Sequence, residues 1–267
     1  MNTVQAIIFD LSGTVIDFGS RGPVVAFVEL CRRHGLEATE KQARGPMGSH
    51  KWDHIWAMLN EPEIHAQWLA LKGQPPTAAD VDALYPEFTE VQIATLASHV
   101  EVLPGIKELV EELGRRKIRY ATTTGFDSSM IGPVKASTAA SGFAPEIFMT
   151  PDLVGSGRPA PWMIYHAAKH MGLYPLHTFI KVGDTPIDIA EAKAAGTWAV
   201  SIVATGNEIG LSQEALAALS SEERERRFEA ARAKFKSLGA DYIIDSAADL
   251  PTVIDDINRR LANGERP

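Results

Sequence analysis

Two stretches of the chain carry side chains able to make and break covalent bonds. Asp10-Leu11-Ser12-Gly13-Thr14 closes an apolar run, Val4 to Phe9, and puts a carboxylate at its end. A carboxylate so placed can attack an electrophilic phosphorus, provided its own charge and that of the substrate are offset. Further along, Lys51 and His54 stand three apart in Gly45-Pro46-Met47-Gly48-Ser49-His50-Lys51-Trp52-Asp53-His54. On a helix this spacing gives them a common face, so the imidazole can move protons for the amine. A neutral amine condenses with an aldehyde to an imine, and the protonated imine is an electron sink.

Three other polar stretches follow apolar runs: Thr122-Thr123-Thr124-Gly125, the later Gly157-Arg158-Pro159, and Lys181-Val182-Gly183-Asp184-Thr185-Pro186-Ile187-Asp188. In open α/β sheets ligands bind beyond the carboxyl ends of the strands, which makes these positions candidates. Each has a plainer reading when taken alone. An Asp after a strand is a common turn residue, Asp188 suits the first turn of a helix, Thr124 can be a turn hydroxyl, and Arg158 or Lys51 can be a surface cation.

The elements that must position these groups follow from the hydrophobic pattern. Short apolar runs rich in strand formers occur at Val4–Phe9, Ile118–Thr123, Glu146–Met149, Thr178–Val182, Trp198–Val203 and Tyr242–Ile244. Helical patterns separate most of them, at Ile106–Arg115, Ser128–Ala140, Trp162–Met171, Ile187–Ala195 and Leu250–Leu261. This alternation predicts βαβ units, hence an α/β fold with a doubly wound parallel sheet. From 20 to 102 the pattern is helical throughout, with a helix from Pro23 towards His34 stopped by Gly35 and others over 51–60, 61–71 and 78–98. We therefore expect an α/β core of 1–19 and 103–267, and an all-helical cap of 20–102 inserted after the first strand. Ser220 to Lys236 is charge-rich and reads as a solvated helix.

In their order along the chain, Asp-x-x-Gly-Thr, Thr-Gly after a strand, a cation and Gly-Asp-x-x-x-Asp resemble the haloacid dehalogenase superfamily of aspartyl-nucleophile phosphotransferases. The helical insertion matches the cap of that superfamily. The resemblance implies that Asp10 is the nucleophile. It also implies a Mg2+ site made by Asp10, the Ser12 carbonyl and Asp184, with Asp188 holding a ligand water. Thr124, Gly125 and Arg158 would then bind the phosphoryl oxygens.

Phosphatases of the superfamily usually carry a second Asp two residues after the nucleophile, to protonate the leaving group. Ser12 stands there in this chain, and serine is a poor general acid. Lys51 supplies a different way out, because electrons from a breaking P–C bond can be held as an enamine. Ala43-Arg44-Gly45-Pro46-Met47-Gly48 followed by Lys51-Trp52-Asp53-His54, together with Gly157-Arg158-Pro159, Pro161-Trp162 and Ile180-Lys181-Val182-Gly183-Asp184-Thr185, resembles the phosphonoacetaldehyde hydrolase branch. That resemblance implies hydrolysis of phosphonoacetaldehyde to acetaldehyde and phosphate, with Lys51 as Schiff-base lysine, His54 as its proton shuttle and Met47 beside the substrate. It also implies a homodimer formed through the cap.

The chain departs from that branch at Ser12 for alanine, at Phe126 for a frequent tyrosine, and at Gly19-Ser20-Arg21-Gly22-Pro23, where Arg21 brings a charge towards the hinge. A related phosphonoaldehyde, a phosphomonoester, or a silent phosphonate-binding relative are the alternatives these departures leave.

The formal net charge of −8, with no basic block, argues against nucleic acid as a partner. No apolar stretch approaches the length of a membrane span. The first residues lack the basic and apolar parts of a secretion signal, so a cytoplasmic location is expected. The single Cys31 lies in a helical apolar pattern with Phe27, Val28 and Leu30, which reads as core packing.

Overall fold

Strand formers and helical periodicity alternate in the folded chain as they do in the sequence. The computed structural model describes residues 3–267. The elements are β1 (Ala6–Phe9), α1 (Arg21–Arg33), α2 (Glu40–Arg44), α3 (Lys51–Leu59), α4 (Pro62–Lys72), α5 (Ala78–Leu96), α6 (Ile106–Arg116), β2 (Arg119–Thr123), α7 (Gly132–Ala140), β3 (Phe148–Met149), α8 (Pro151–Val154), α9 (Trp162–Met171), β4 (Phe179–Gly183), α10 (Pro186–Ala195), β5 (Trp198–Ile202), α11 (Gln213–Ala217), α12 (Ser221–Ser237), β6 (Tyr242–Ile244) and α13 (Leu250–Ala262).

All six of these strands are parallel, in the order β3-β2-β1-β4-β5-β6. Helices cover both faces, so β1, β4 and β5 are buried throughout and read as continuous apolar runs. The order reverses at β1, where Phe9 faces Thr122 of β2 on one side and Val182 of β4 on the other. Chains leaving these three strands emerge side by side at the switch point, where such sheets bind ligands.

Between β1 and α6 the described residues contain helices and no strand longer than an isolated bridge. Helix α1 packs lengthwise on α5, and Phe27 stacks on Phe88 at 4.4 Å and on the His54 ring at 3.6 Å. Pro23 sits in the first turn of α1, and Gly35, with φ of 73°, ends the turn after it. The two connections to the sheet run side by side. Ile16 and Val102 form an antiparallel bridge, and Leu103 N–H donates to the Val15 carbonyl at 2.9 Å.

Local chemistry moves the start of one helix furthest from its expected place. Helix α7 begins at Gly132 rather than Ser128, because 127–130 form a turn, Met130 N–H donating to the Asp127 carbonyl, while Ser128 N–H is taken by Asp152. Cys31 is buried in the packing of α1, and burial pushes its thiol up to about 11. Its role is to pack.

Candidate active site

Asp10 is the first residue beyond β1, held by its N–H donating to the Val182 carbonyl at 2.8 Å. Its side chain is almost wholly buried. Arg158 Nη1 donates to Asp10 Oδ1 at 2.8 Å and to Asp188 Oδ1 at 2.5 Å. Asp184, at the end of β4, accepts from Thr14 Oγ1 at 3.0 Å and from Asn207 N–H at 2.7 Å. Asp188 has two roles at once. Its Oδ2 closes the capping box of α10 with Thr185, while its Oδ1 faces Arg158. Gly13 makes the close approach possible: its φ is 84°, and a Cβ there would lie 2.2 Å from Asp184 Oδ2.

Sequence reasoning named Lys181 in the strand but gave it no function. Its ammonium is buried under the site, 2.8 Å from Asp188 Oδ1, 3.4 Å from Glu191 Oε2 and 3.0 Å from Thr123 Oγ1. A lysine inside an otherwise apolar strand demands buried partners, and that was the available signal.

The charges in this cluster do not balance. Among the described residues four buried carboxylates, Asp10, Asp184, Asp188 and Glu191, gather around two buried cations, Arg158 and Lys181. Burial pushes the Asp184 carboxyl well above the usual range, and the nearby Asp10 and Asp188 push it further. Burial also raises Asp10, against the pull of Arg158. Burial works the same way on Asp188, but Lys181 and Arg158 outweigh it and hold that carboxyl at about 2. Oxygen atoms of Asp10, Asp184 and Asp188 lie within 4.8 Å of one another. Two uncompensated negative charges on hard oxygen donors fit a divalent cation.

Lys51 opens α3 and is buried, with 3% of its surface exposed. Its Nζ lies over the ring of Phe126 at 4.8 Å and that of Phe27 at 5.5 Å. Burial, aided by the positive charge of Arg158, brings its pKa down to about 7. The amine is therefore substantially neutral at physiological pH. His54 lies one turn further along α3, fully buried against Phe27. Its Nε2 is 2.8 Å from the Ala43 carbonyl, which only accepts, so Nε2 carries the proton and Nδ1 the lone pair. Among the described residues Nδ1 has no hydrogen-bond partner. Burial and the charge of Lys51 hold its pKa well below 6.5.

The loop before α3 seats on the core at glycines. A Cβ on Gly125 would lie 2.2 Å from the Ser49 carbonyl oxygen, one on Gly157 2.8 Å from His50 Cβ, and one on Gly48 2.6 Å from Thr185 Oγ1. This seating encloses a cavity of about 10 Å³ whose lining includes Asp10, Ser12, Met47, Lys51, Thr124, Gly125 and Arg158. That volume holds about one water. Residues expected from separate parts of the sequence thus converge on one space, with Asp184 and Asp188 beside it and His54 behind the Phe27 ring. The Ser12 hydroxyl donates to Asp17 Oδ2. Arg21 is exposed at the start of α1, in an outer cleft with Ser98, His99 and Glu214. It does not line the enclosed cavity, so its charge does not extend the site.

Known proteins share both the sequence and the shape. A family model of haloacid dehalogenase-like hydrolases matches residues 4–196. A phosphonoacetaldehyde hydrolase of Paraburkholderia phytofirmans is 40% identical over 267 residues, covering all of both chains. One from Bacillus cereus is 36% identical over 257 residues, covering 96% of this chain and 97% of its own. The crystal structure of a phosphonoacetaldehyde hydrolase-like protein from Oleispira antarctica superposes with a TM-score of 0.97 at 40% identity, covering 99% of this chain and 96% of that one. The chain belongs to the haloacid dehalogenase-like hydrolases and, among them, to the phosphonoacetaldehyde hydrolase family.

Proposed function

We propose that this protein hydrolyses the P–C bond of phosphonoacetaldehyde, giving acetaldehyde and phosphate, through an imine on Lys51 and an aspartyl phosphate on Asp10. The observation that carries this reading is the shared cavity: a buried amine with a pKa of about 7 opens onto the same space as Asp10 and Arg158. The names of the relatives from Paraburkholderia and Bacillus support the substrate.

In this reading Lys51 Nζ adds to the carbonyl carbon, and water leaves to give the iminium. His54, one turn along α3 from Lys51 and with its Nδ1 lone pair unpartnered among the described residues, takes and returns protons in that condensation. Asp10 then attacks phosphorus. The P–C bond breaks, and its electron pair moves into the iminium to leave an enamine. The enamine gains a proton on carbon, water releases acetaldehyde and the Lys51 amine, and a second water cleaves the aspartyl phosphate. Arg158, Thr124 and Gly125 hold the phosphonate oxygens, with Met47 closing the cavity above them. Asp10, Asp184 and the Ser12 carbonyl would hold Mg2+, with Asp188 behind them, and the cation would offset the negative charge of nucleophile and substrate. No acid is needed at position 12, because the electron pair leaves into the imine.

Borohydride reduction in the presence of phosphonoacetaldehyde, followed by peptide mass spectrometry, tests the reading. A two-carbon adduct on Lys51 and phosphate release lost in Asp10→Asn are expected. Phosphate release that survives Lys51→Ala on simple phosphomonoesters, with no adduct, would make it a phosphatase instead.

Two further parts of the proposal concern setting. A homodimer through the helices of 20–102 is supported by exposed Val25 on α1 and Leu69 and Leu71 on α4. Sedimentation at several concentrations tests it. No described helix is long and apolar enough to cross a membrane, and turnover in the cytoplasm is the location proposed.

A further inference from the structure

Lys51 and Asp10 belong to different parts of the chain, and the cavity between them is closed to anything much larger than water. Substrate therefore enters only when the helices of 21–96 lift from the sheet, and something must hold them down during the chemistry. A cluster of three side chains bridges the two parts beside Lys51. His50, which precedes Lys51 and caps α3, places Nε2 3.1 Å from Asp127 Oδ1. Tyr85, from α5, donates its hydroxyl to Asp127 Oδ2 and lies 3.3 Å from His50 Nε2. Asp127 stands on the sheet side, one residue after Phe126, whose ring covers the Lys51 amine.

We infer that His50, Tyr85 and Asp127 form a clasp that sets the closed position of Lys51; this rests on the reading of Lys51 as the reactive amine. Both carboxylate oxygens of Asp127 are taken up by groups from the helical part, one from α5 and one from the start of α3. The clasp thus fixes the chain immediately before Lys51 to the chain immediately after Phe126. Its side chains are shielded but not sealed: His50 keeps 25% of its side-chain surface and Asp127 15%. When the helices lift, all three polar groups meet water, so opening strands no buried charge. Asp53, one turn along α3, is 3.9 Å from His50 Nδ1 and favours the imidazole in this orientation. His50, Tyr85 and Asp127 are positioning residues, since none of them lines the cavity.

The test reads closure without relying on turnover. The rate at which trinitrobenzenesulfonate modifies Lys51, measured by peptide mass spectrometry against other lysines of the same chain, reports how often the site opens. We expect at least a threefold faster modification in Asp127→Ala and in Tyr85→Phe. The double variant His50→Leu/Asp127→Ala should be no faster than Asp127→Ala alone, because both break one device. With phosphonoacetaldehyde, KM should rise more than kcat falls. Asp127→Asn, which keeps an acceptor, should recover part of the closure. If Lys51 modification is unchanged in all variants, or the effects simply multiply in the double variant, the clasp is wrong. Should Asp127→Ala fail to fold, Tyr85→Phe, which removes a single oxygen, decides alone. Wild-type protein that shows no phosphate release would overturn the functional reading, while the modification rates would still judge the clasp.

Discussion

Ser12 Oγ donates a 2.5 Å hydrogen bond to Asp17 Oδ2, so the hydroxyl two residues after the nucleophile is engaged by the segment that leads into α1. Asp17 has φ of 61° and also accepts the N–H groups of Arg21 and Gly22, the first turn of α1. Serine at this position thus ties the nucleophile loop to the helix that leaves it. For Ser12→Ala we expect a loss of about 1–2 kcal/mol in urea unfolding, because one buried acceptor loses a donor while two remain. Turnover should stay within about threefold, since the hydroxyl does no acid chemistry in P–C cleavage. A loss of several hundredfold would give Ser12 a direct part in the reaction.

The Lys51 amine must be neutral to add to a carbonyl, and its pKa is about 7. The fraction of amine grows as pH rises through that value, so kcat/KM should climb with a midpoint near pH 7 and be nearly flat by pH 9. Lys51→Arg keeps the charge but cannot form an imine, and should lower kcat/KM by at least about 10³-fold. A pH–rate profile with its rising limb below pH 5 would remove Lys51 from the condensation.

The two negative charges left over among the buried carboxylates set the response to metal. Mg2+ at one hundred times its Kd should add about 2.7 kcal/mol of stability, visible as a higher Tm. Asp184→Asn removes one ligand and one of the excess charges, and should abolish that rise. Chelator should suppress phosphate release and added Mg2+ should restore it. A Tm that ignores Mg2+ in the wild type would contradict the assignment of Asp10, Asp184 and Asp188 as a cation site.

Lys181 is the floor of the same cluster. Lys181→Met leaves the buried Asp188 and Glu191 without that cation, and should cost about 3–5 kcal/mol of stability. Chemical denaturation measures this directly. A change below 1 kcal/mol would show that Arg158 alone balances both acids.

Part of the candidate site was legible because several of its polar groups stand where an apolar run stops. Asp10, Thr124 and Asp184 follow β1, β2 and β4, and the sheet order brings those ends together without further instruction. Lys51 and His54 were legible as a pair through helical spacing. What escaped was joined across long sequence separations. His50 lies 77 residues from Asp127 and 35 from Tyr85, and no local pattern marks such a set. Lys181 was hidden for another reason: strand propensity reads the whole run, and only the buried partners from β2 and α10 explain the charge within it. The short helices α2, α8 and α11 are too brief to show a period. The start of α7 was misplaced because Asp127 and Ser128 bond to neighbouring parts of the fold instead of entering the helix.

The paired strands of backbone at Ile16 and Val102 dictate the path along which the amine can travel. Two chain segments tied together by hydrogen bonds resist shearing past each other, since slippage would break the rungs between them. Bending across the pair breaks none. On such a mount, opening of the helical part would bend the paired connections and leave their register unchanged. If Lys51 is the amine that adds to the aldehyde, as proposed, such a mount would bring it to Asp10 from a single direction at every closure.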